Sequence, residues 1–157
     1  MKLKHIWAVT ALLLTGRGSI AAVNGDTPEG AHNDADGGIT YKCGTAITET
    51  NCLVKASGDP LVVAPTALAT DEPIGVSPDT CAVGDYTAVD HFGIASRTRL
   101  VTVSAAVTAG ARLYTAASGR ASSSGGTGKW LIGRALQSAS AAGQAIAFEP
   151  CFPVVQA

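Results

Sequence analysis

Charge is scarce in this chain: charged residues make up 15%, against roughly 25% in soluble domains generally. The 11 basic and 12 acidic residues nearly cancel, for a net charge of -1. No cluster of Lys or Arg is present that could neutralise successive phosphates, so nucleic acid is not expected as a partner. Aromatic residues are few, at 5%, and the three histidines stand apart. The four cysteines, Cys43, Cys52, Cys81 and Cys151, include no C-x-x-C pair, so no metal ligand set is expected. The apolar run from Ile6 to Leu14 is too short to span a bilayer, which argues against a membrane partner.

What the chain has instead is Ser, Thr, Gly, Ala and Val. Its 157 residues, 46% of them hydrophobic, suffice for one ordinary domain with a core, or for a compact β-domain with an added arm. Polarity carried by hydroxyls and glycine rather than by charge favours strands and tight turns over helices.

The first 38 residues read differently from the rest. Lys2 and Lys4 precede the apolar run, and Ser19 and Ala21 follow it, as in a secretory signal. Arg17 is poorly placed for that reading. The preferred expectation is an N-terminal arm, residues 1–38, continuing through the polar "NGDTPEGAHNDADGG" and too poor in apolar residues to fold alone. Ile6, Trp7, Leu12 and Leu13 would then contact a partner subunit. The alternative is a secreted bacterial β-domain with disulfides and a cleaved leader.

Residues 39–157 contain an internal duplication. "AITETNCLVKASGDP" from Ala46 is answered by "AVTAGARLYTAASGR" from Ala106, "PIGVS" by "LIGRA", and "VGDYTAV" by "AGQAIAF". Ile74-Gly75 therefore matches Ile132-Gly133, and Gly84 matches Gly143, and the offset stays between 58 and 61 residues throughout. Each half, about 46–89 and 106–148, is a run of short β-branched segments bounded by turn residues, the pattern of a strand meander. The expected fold is all-β, a small barrel or sandwich built from two pseudo-repeated meander halves. Gly58 in "ASGD" and Gly119 in "ASGR" are expected to supply positive φ in hairpin turns. Between the halves lies "RTRLVTV", read as a linker strand with Arg99, Val101 and Val103 on one face and Thr98, Leu100 and Thr102 on the other. "SGRASSSGGTGKW", Ser118 to Trp130, reads as an exposed flexible loop. Cys43 and Cys52 could meet across a hairpin, or could stay reduced as small buried apolar residues.

Catalytic constellations are not found. "GGTGKW" resembles a phosphate loop only superficially, because a glycine and a hydroxyl are required where Ser123 and Trp130 stand. Asp90 and His91 are adjacent, so on a strand they would face opposite ways; they read as a polar turn, not part of a triad. Asp34, Asp36, Asp71 and Glu72 read as solvated. A duplicated, chemically quiet β-domain points to binding or building rather than catalysis.

From Gly38 to Pro150 the order of these elements, "ITYK", "AIT", "LVKASG", "IGV", "AGARLYTAASGR", "IGRAL" and "AAGQAIAF", resembles the small capsid cement or head decoration proteins of tailed bacteriophages. The resemblance implies a non-enzymatic virion protein without cofactors. It implies binding to the outer surface of a shell of major capsid protein, stabilisation of contacts between its subunits, and self-association, as homotrimers rather than dimers. On that reading the expected capsid contacts are Ile6, Trp7, Leu12 and Leu13 in the arm, with Arg97 and Arg99 as ion-pair partners of the shell. The long arm and the four cysteines depart from the family pattern, since phage proteins assemble in a reducing cytoplasm.

Overall fold

The computed structural model describes residues 32–33, 38–93 and 98–157. Among them no helix occurs, and eleven strands form two sheets, in keeping with the all-β expectation. The first sheet contains β1 (His32–Asn33), β2 (Gly38–Cys43), β3 (Cys52–Ser57), β4 (Asp59–Pro65), β5 (Gly75–Ser77) and β6 (Tyr86–His91). Its order is β1-β2-β4-β3-β5-β6, and β6 also pairs with β2, so β2 to β6 close into a five-stranded barrel. Only the β2–β4 pair is parallel, with Lys42 beside Val62 and Cys43 beside Val63. β1, from the segment read as arm, lies against the start of β2.

The second sheet contains β7 (Arg99–Thr102), β8 (Arg112–Thr115), β9 (Ala121–Ser122), β10 (Trp130–Ala135) and β11 (Ala145–Val155), in the order β7-β11-β10-β8-β9. Its edge strands meet at a parallel bridge between Val103 and Ala121. This is the path of the first barrel again, with β7 to β11 standing for β2 to β6.

Individual hydrogen bonds repeat as well. The Cys43 amide donates to Asp85 O at 2.8 Å and the Val103 amide to Gln144 O at 2.9 Å. Gly44 donates to Val63 O and Ser104 to Ala121 O, both at 2.8 Å. The antiparallel bridge Ile47–Cys81 is matched by Val107–Ala139. The strand expected as a linker is therefore corrected: pairing with β11 gives β7 the place that β2 holds in the first half. Leu100 is exposed while Arg99, Val101 and Val103 are buried, as the alternation requires. Thr102 departs from it, buried with its hydroxyl donating to Thr50 O at 2.9 Å.

The matching Ile-Gly pairs have a steric cause. A Cβ on Gly75 would lie 2.4 Å from Asp90 O, and one on Gly133 would lie 2.1 Å from Glu149 O. Only glycine lets those strands approach their neighbours so closely. Gly58 and Gly119 take the expected positive φ, 74° and 70°.

β3 joins the two cores because it is buried on both faces. Val54 packs into the first barrel with Tyr41, Ile47, Val63 and Val89. Leu53, pointing the other way, joins Val101, Leu113, Ile132, Ile146 and Phe148 of the second. Across the same seam the Leu53 amide donates to Gly119 O and the Gly119 amide to Thr66 O, both at 2.7 Å. Arg120 holds Glu49 in a two-pronged ion pair, with Nε donating to Oε2 at 2.8 Å and Nη2 to Oε1.

Three further expectations are corrected. Ser118–Trp130 is not wholly an exposed loop: β9 lies inside it with Ala121 fully buried, because that small side chain closes the second sheet against Val103. Asp71 is not simply solvated, since its carboxylate accepts the Ala67 and Leu68 amides at 2.8 and 2.9 Å and pairs with Lys55 at 3.0 Å. Cys43 bonds to Cys81, not to Cys52, with Cα atoms 6.4 Å apart. The bridge at Ile47 carries Cys81 to the end of β2, whereas Cys52 sits on β3 with its thiol against Gly119. Cys52 is free, and burial pushes its pKa up to about 11.

Candidate interaction surface

β11 is nearly twice as long as its twin β6, 11 residues against 6. Its first part pairs with β7 up to Phe148 opposite Arg99, and its other edge follows β10 to Pro150 opposite Gly133 and, after a register shift that passes over Cys151–Pro153, ends with Val154 opposite Leu131 and Val155 opposite Trp130. Beyond Phe148, the edge that faced β7 has no ladder partner among the described residues. Two prolines, Pro150 and Pro153, lie in this stretch, which suits an edge because proline donates no ladder hydrogen bond.

The side chains there are large and apolar yet face solvent. Phe152 is 74% exposed, Val154 57% and Val155 50%. The Phe152 ring rests against Gly93, where a Cβ would come within 2.9 Å of Cδ2. Exposed hydrophobic residues grouped in this way mark a candidate interaction surface.

Beside it runs a shallow groove of about 270 Å³ lined by Arg112, Leu131, Arg134, Glu149 and Cys151. Strand register places Arg112 directly opposite Arg134, and Arg134 directly opposite Glu149. Like charges facing each other across a ladder are unfavourable. Neither arginine makes an ion pair among the described residues. Two guanidinium groups against one carboxylate leave the row with a positive surplus, which suits a partner that brings acidic side chains. Burial raises the pKa of the Cys151 thiol, so it is no ready nucleophile.

The residues singled out from the sequence fall elsewhere. Ile6, Trp7, Leu12, Leu13 and Arg97 lie outside the described residues. Arg99 is corrected as a surface contact: its side chain is 8% exposed and its Nε lies 3.5 Å from Asp90 Oδ2. That arginine is committed within the fold, where it also has further interactions. Asp90 and His91 belong to β6 rather than to a turn, and they do point apart. His91 Nε2 meets the Tyr41 hydroxyl at 2.5 Å, and burial holds the imidazole below its ordinary pKa. No grouping of His, Cys, Asp and Glu suited to a metal occurs among the described residues. The surface at Phe152 escaped sequence reading because "CFPVVQ" looks like any buried apolar strand. Its one signal was that it continues past the end of the repeat, where the first half has no counterpart.

A family model described as "Phage cement protein" matches residues 32–150, about three quarters of the chain. No curated protein matches the sequence. Among solved structures, the head fiber gp8.5 N base in bacteriophage phi29 is similar at 18% identity, with a TM-score of 0.59, covering 76% of this chain and 98% of that one. At that identity the likeness speaks to the fold.

Proposed function

This chain belongs to the phage cement protein family, and from that premise we propose that it cements the outer surface of the capsid by bridging subunits of the major capsid protein. As a family member it is a capsid-associated structural protein of the virion. The observation that supports a specific binding face is the end of β11, where Phe152, Val154 and Val155 stand exposed near Arg112 and Arg134 and where, among the described residues, one edge has no ladder partner. A capsid segment laid over this end of β11 would cover the apolar side chains and bring carboxylates to the arginines. In this reading the arm adds a second contact through Ile6, Trp7, Leu12 and Leu13, Arg97 adds an ion pair, and the protein binds as a homotrimer at a local three-fold position.

The test is co-sedimentation of the purified chain with capsids that lack it. Phe152→Ser with Val154→Ser should leave the fold intact, because both side chains are exposed. Burial of two such side chains stabilises a complex by about 2–4 kcal/mol, so binding should weaken between roughly 30- and 1,000-fold. Arg112→Glu with Arg134→Glu should weaken it further at low salt than at high. Unchanged affinity in both variants would remove this face from the proposal, and removal of Met1–Gly18 without effect would remove the arm. Light scattering of the free chain measures the trimer.

A further inference from the structure

The disulfide between Cys43 and Cys81 closes the first barrel across a sequence separation of 38 residues. The duplication supplies its own comparison. By the matched hydrogen bonds, Val103 stands where Cys43 stands, and Ala139 stands where Cys81 stands. Both are buried, Val103 fully, and the second half follows the same path with those two apolar side chains and no covalent bond. The path therefore comes from the ladder and the Ile47–Cys81 bridge. Two thiols at these positions would pack as small apolar groups do.

Given the capsid role proposed above, the chain is made in a reducing cytoplasm and ends on the outside of a particle, where disulfides persist. We propose that the first barrel folds and assembles with Cys43 and Cys81 as thiols, and that the bond forms after release as a lock on an already folded barrel. The oxidant is a low-molecular-weight disulfide of the medium. Cys81, the more exposed of the pair at 8% against 1%, attacks it as the thiolate and releases one small thiol. Cys43 then displaces the second from the mixed disulfide. Two protein thiols and one small disulfide become one protein disulfide and two small thiols, with two electrons passing to the reagent. Cys52, buried against Gly119, stays reduced.

The full-length Cys151→Ser variant, purified with reductant and then treated with oxidised glutathione, should lose two hydrogens, because the partly exposed Cys151 thiol of the wild type can keep a glutathione of its own. Its far-UV circular dichroism should not change, and its melting temperature should rise by roughly 10 °C, from the loop-closure effect of a 38-residue separation in a domain of this size. Alkylation at the moment of lysis should trap Cys43 and Cys81 as thiols in infected cells and find them protected in released particles. Cys43→Val with Cys81→Ala, which copies the second half, should fold and melt at the reduced temperature whatever the oxidant. Val103→Cys with Ala139→Cys should acquire a second bond between the new residues, testing the equivalence directly. A reduced chain without β-structure, or a bond already complete inside the cell, would overturn the proposal. The purified-chain measurements involve no capsid, so failure to sediment with capsids would count against the function alone.

Discussion

Gly58 and Gly119 occupy the same place in the two halves and share a backbone conformation, φ of 74° and 70°, but their surroundings differ. A Cβ on Gly58 would meet nothing within 4 Å, whereas one on Gly119 would sit 2.0 Å from Cys52 Sγ and 3.2 Å from Leu53 O. Gly58→Ala should therefore cost only the left-handed backbone penalty, about 1–2 kcal/mol. Gly119→Ala should add overpacking of about 1–3 kcal/mol, for a total of about 2–5 kcal/mol. The clash is with one sulfur atom. Cys52→Ala removes it and leaves the Cys52 Cβ at 3.6 Å, so combining it with Gly119→Ala should recover about 1–3 kcal/mol in a double-mutant cycle. Urea unfolding of all four proteins with the Cys43–Cys81 bond intact measures these terms, and m values should stay constant. Equal costs at the two glycines, or a coupling energy near zero, would refute the view that the halves dock through a contact only glycine permits.

Leu53→Ala should be among the most damaging single truncations, at about 3–5 kcal/mol by the same unfolding assay, because Leu53 is fully buried in the core that both halves share. Acid should weaken the fold through His91. Burial holds its folded-state pKa below the ordinary 6.5, so the unfolded chain takes the proton first, and stability present above pH 6.5 is lost as pH falls through the folded value. A urea midpoint that falls between pH 7 and pH 5 in the wild type, and falls less in His91→Phe, checks this. At lower pH, Glu49, held below its ordinary range by hydrogen bonding to Arg120, loses its preference for the folded state as it protonates. Arg120→Ala should flatten that part of the pH profile.

The local features were legible in the sequence because they depend on a few adjacent residues. Alternating β-branched segments between turn residues specify strands, and the repeated "ASG" specifies a turn with positive φ wherever it occurs. Duplication itself is visible as recurrence of those same local choices, and the order of elements was enough to show the phage cement resemblance. What lay beyond reach depends on which strands meet. The Cys43–Cys81 bond requires the Ile47–Cys81 bridge. The burial of Arg99 requires Asp90 on a strand of the other sheet. The role of Ala121 requires Val103 beside it. Phe152 and Phe148 have the same side chain on the same strand, yet one is 74% exposed and the other fully buried. A strand's sequence determines which residues can share a face, but only closure of the sheets determines whether that face has anything to cover it, and past Phe148 the ladder with β7 has no further pair among the described residues.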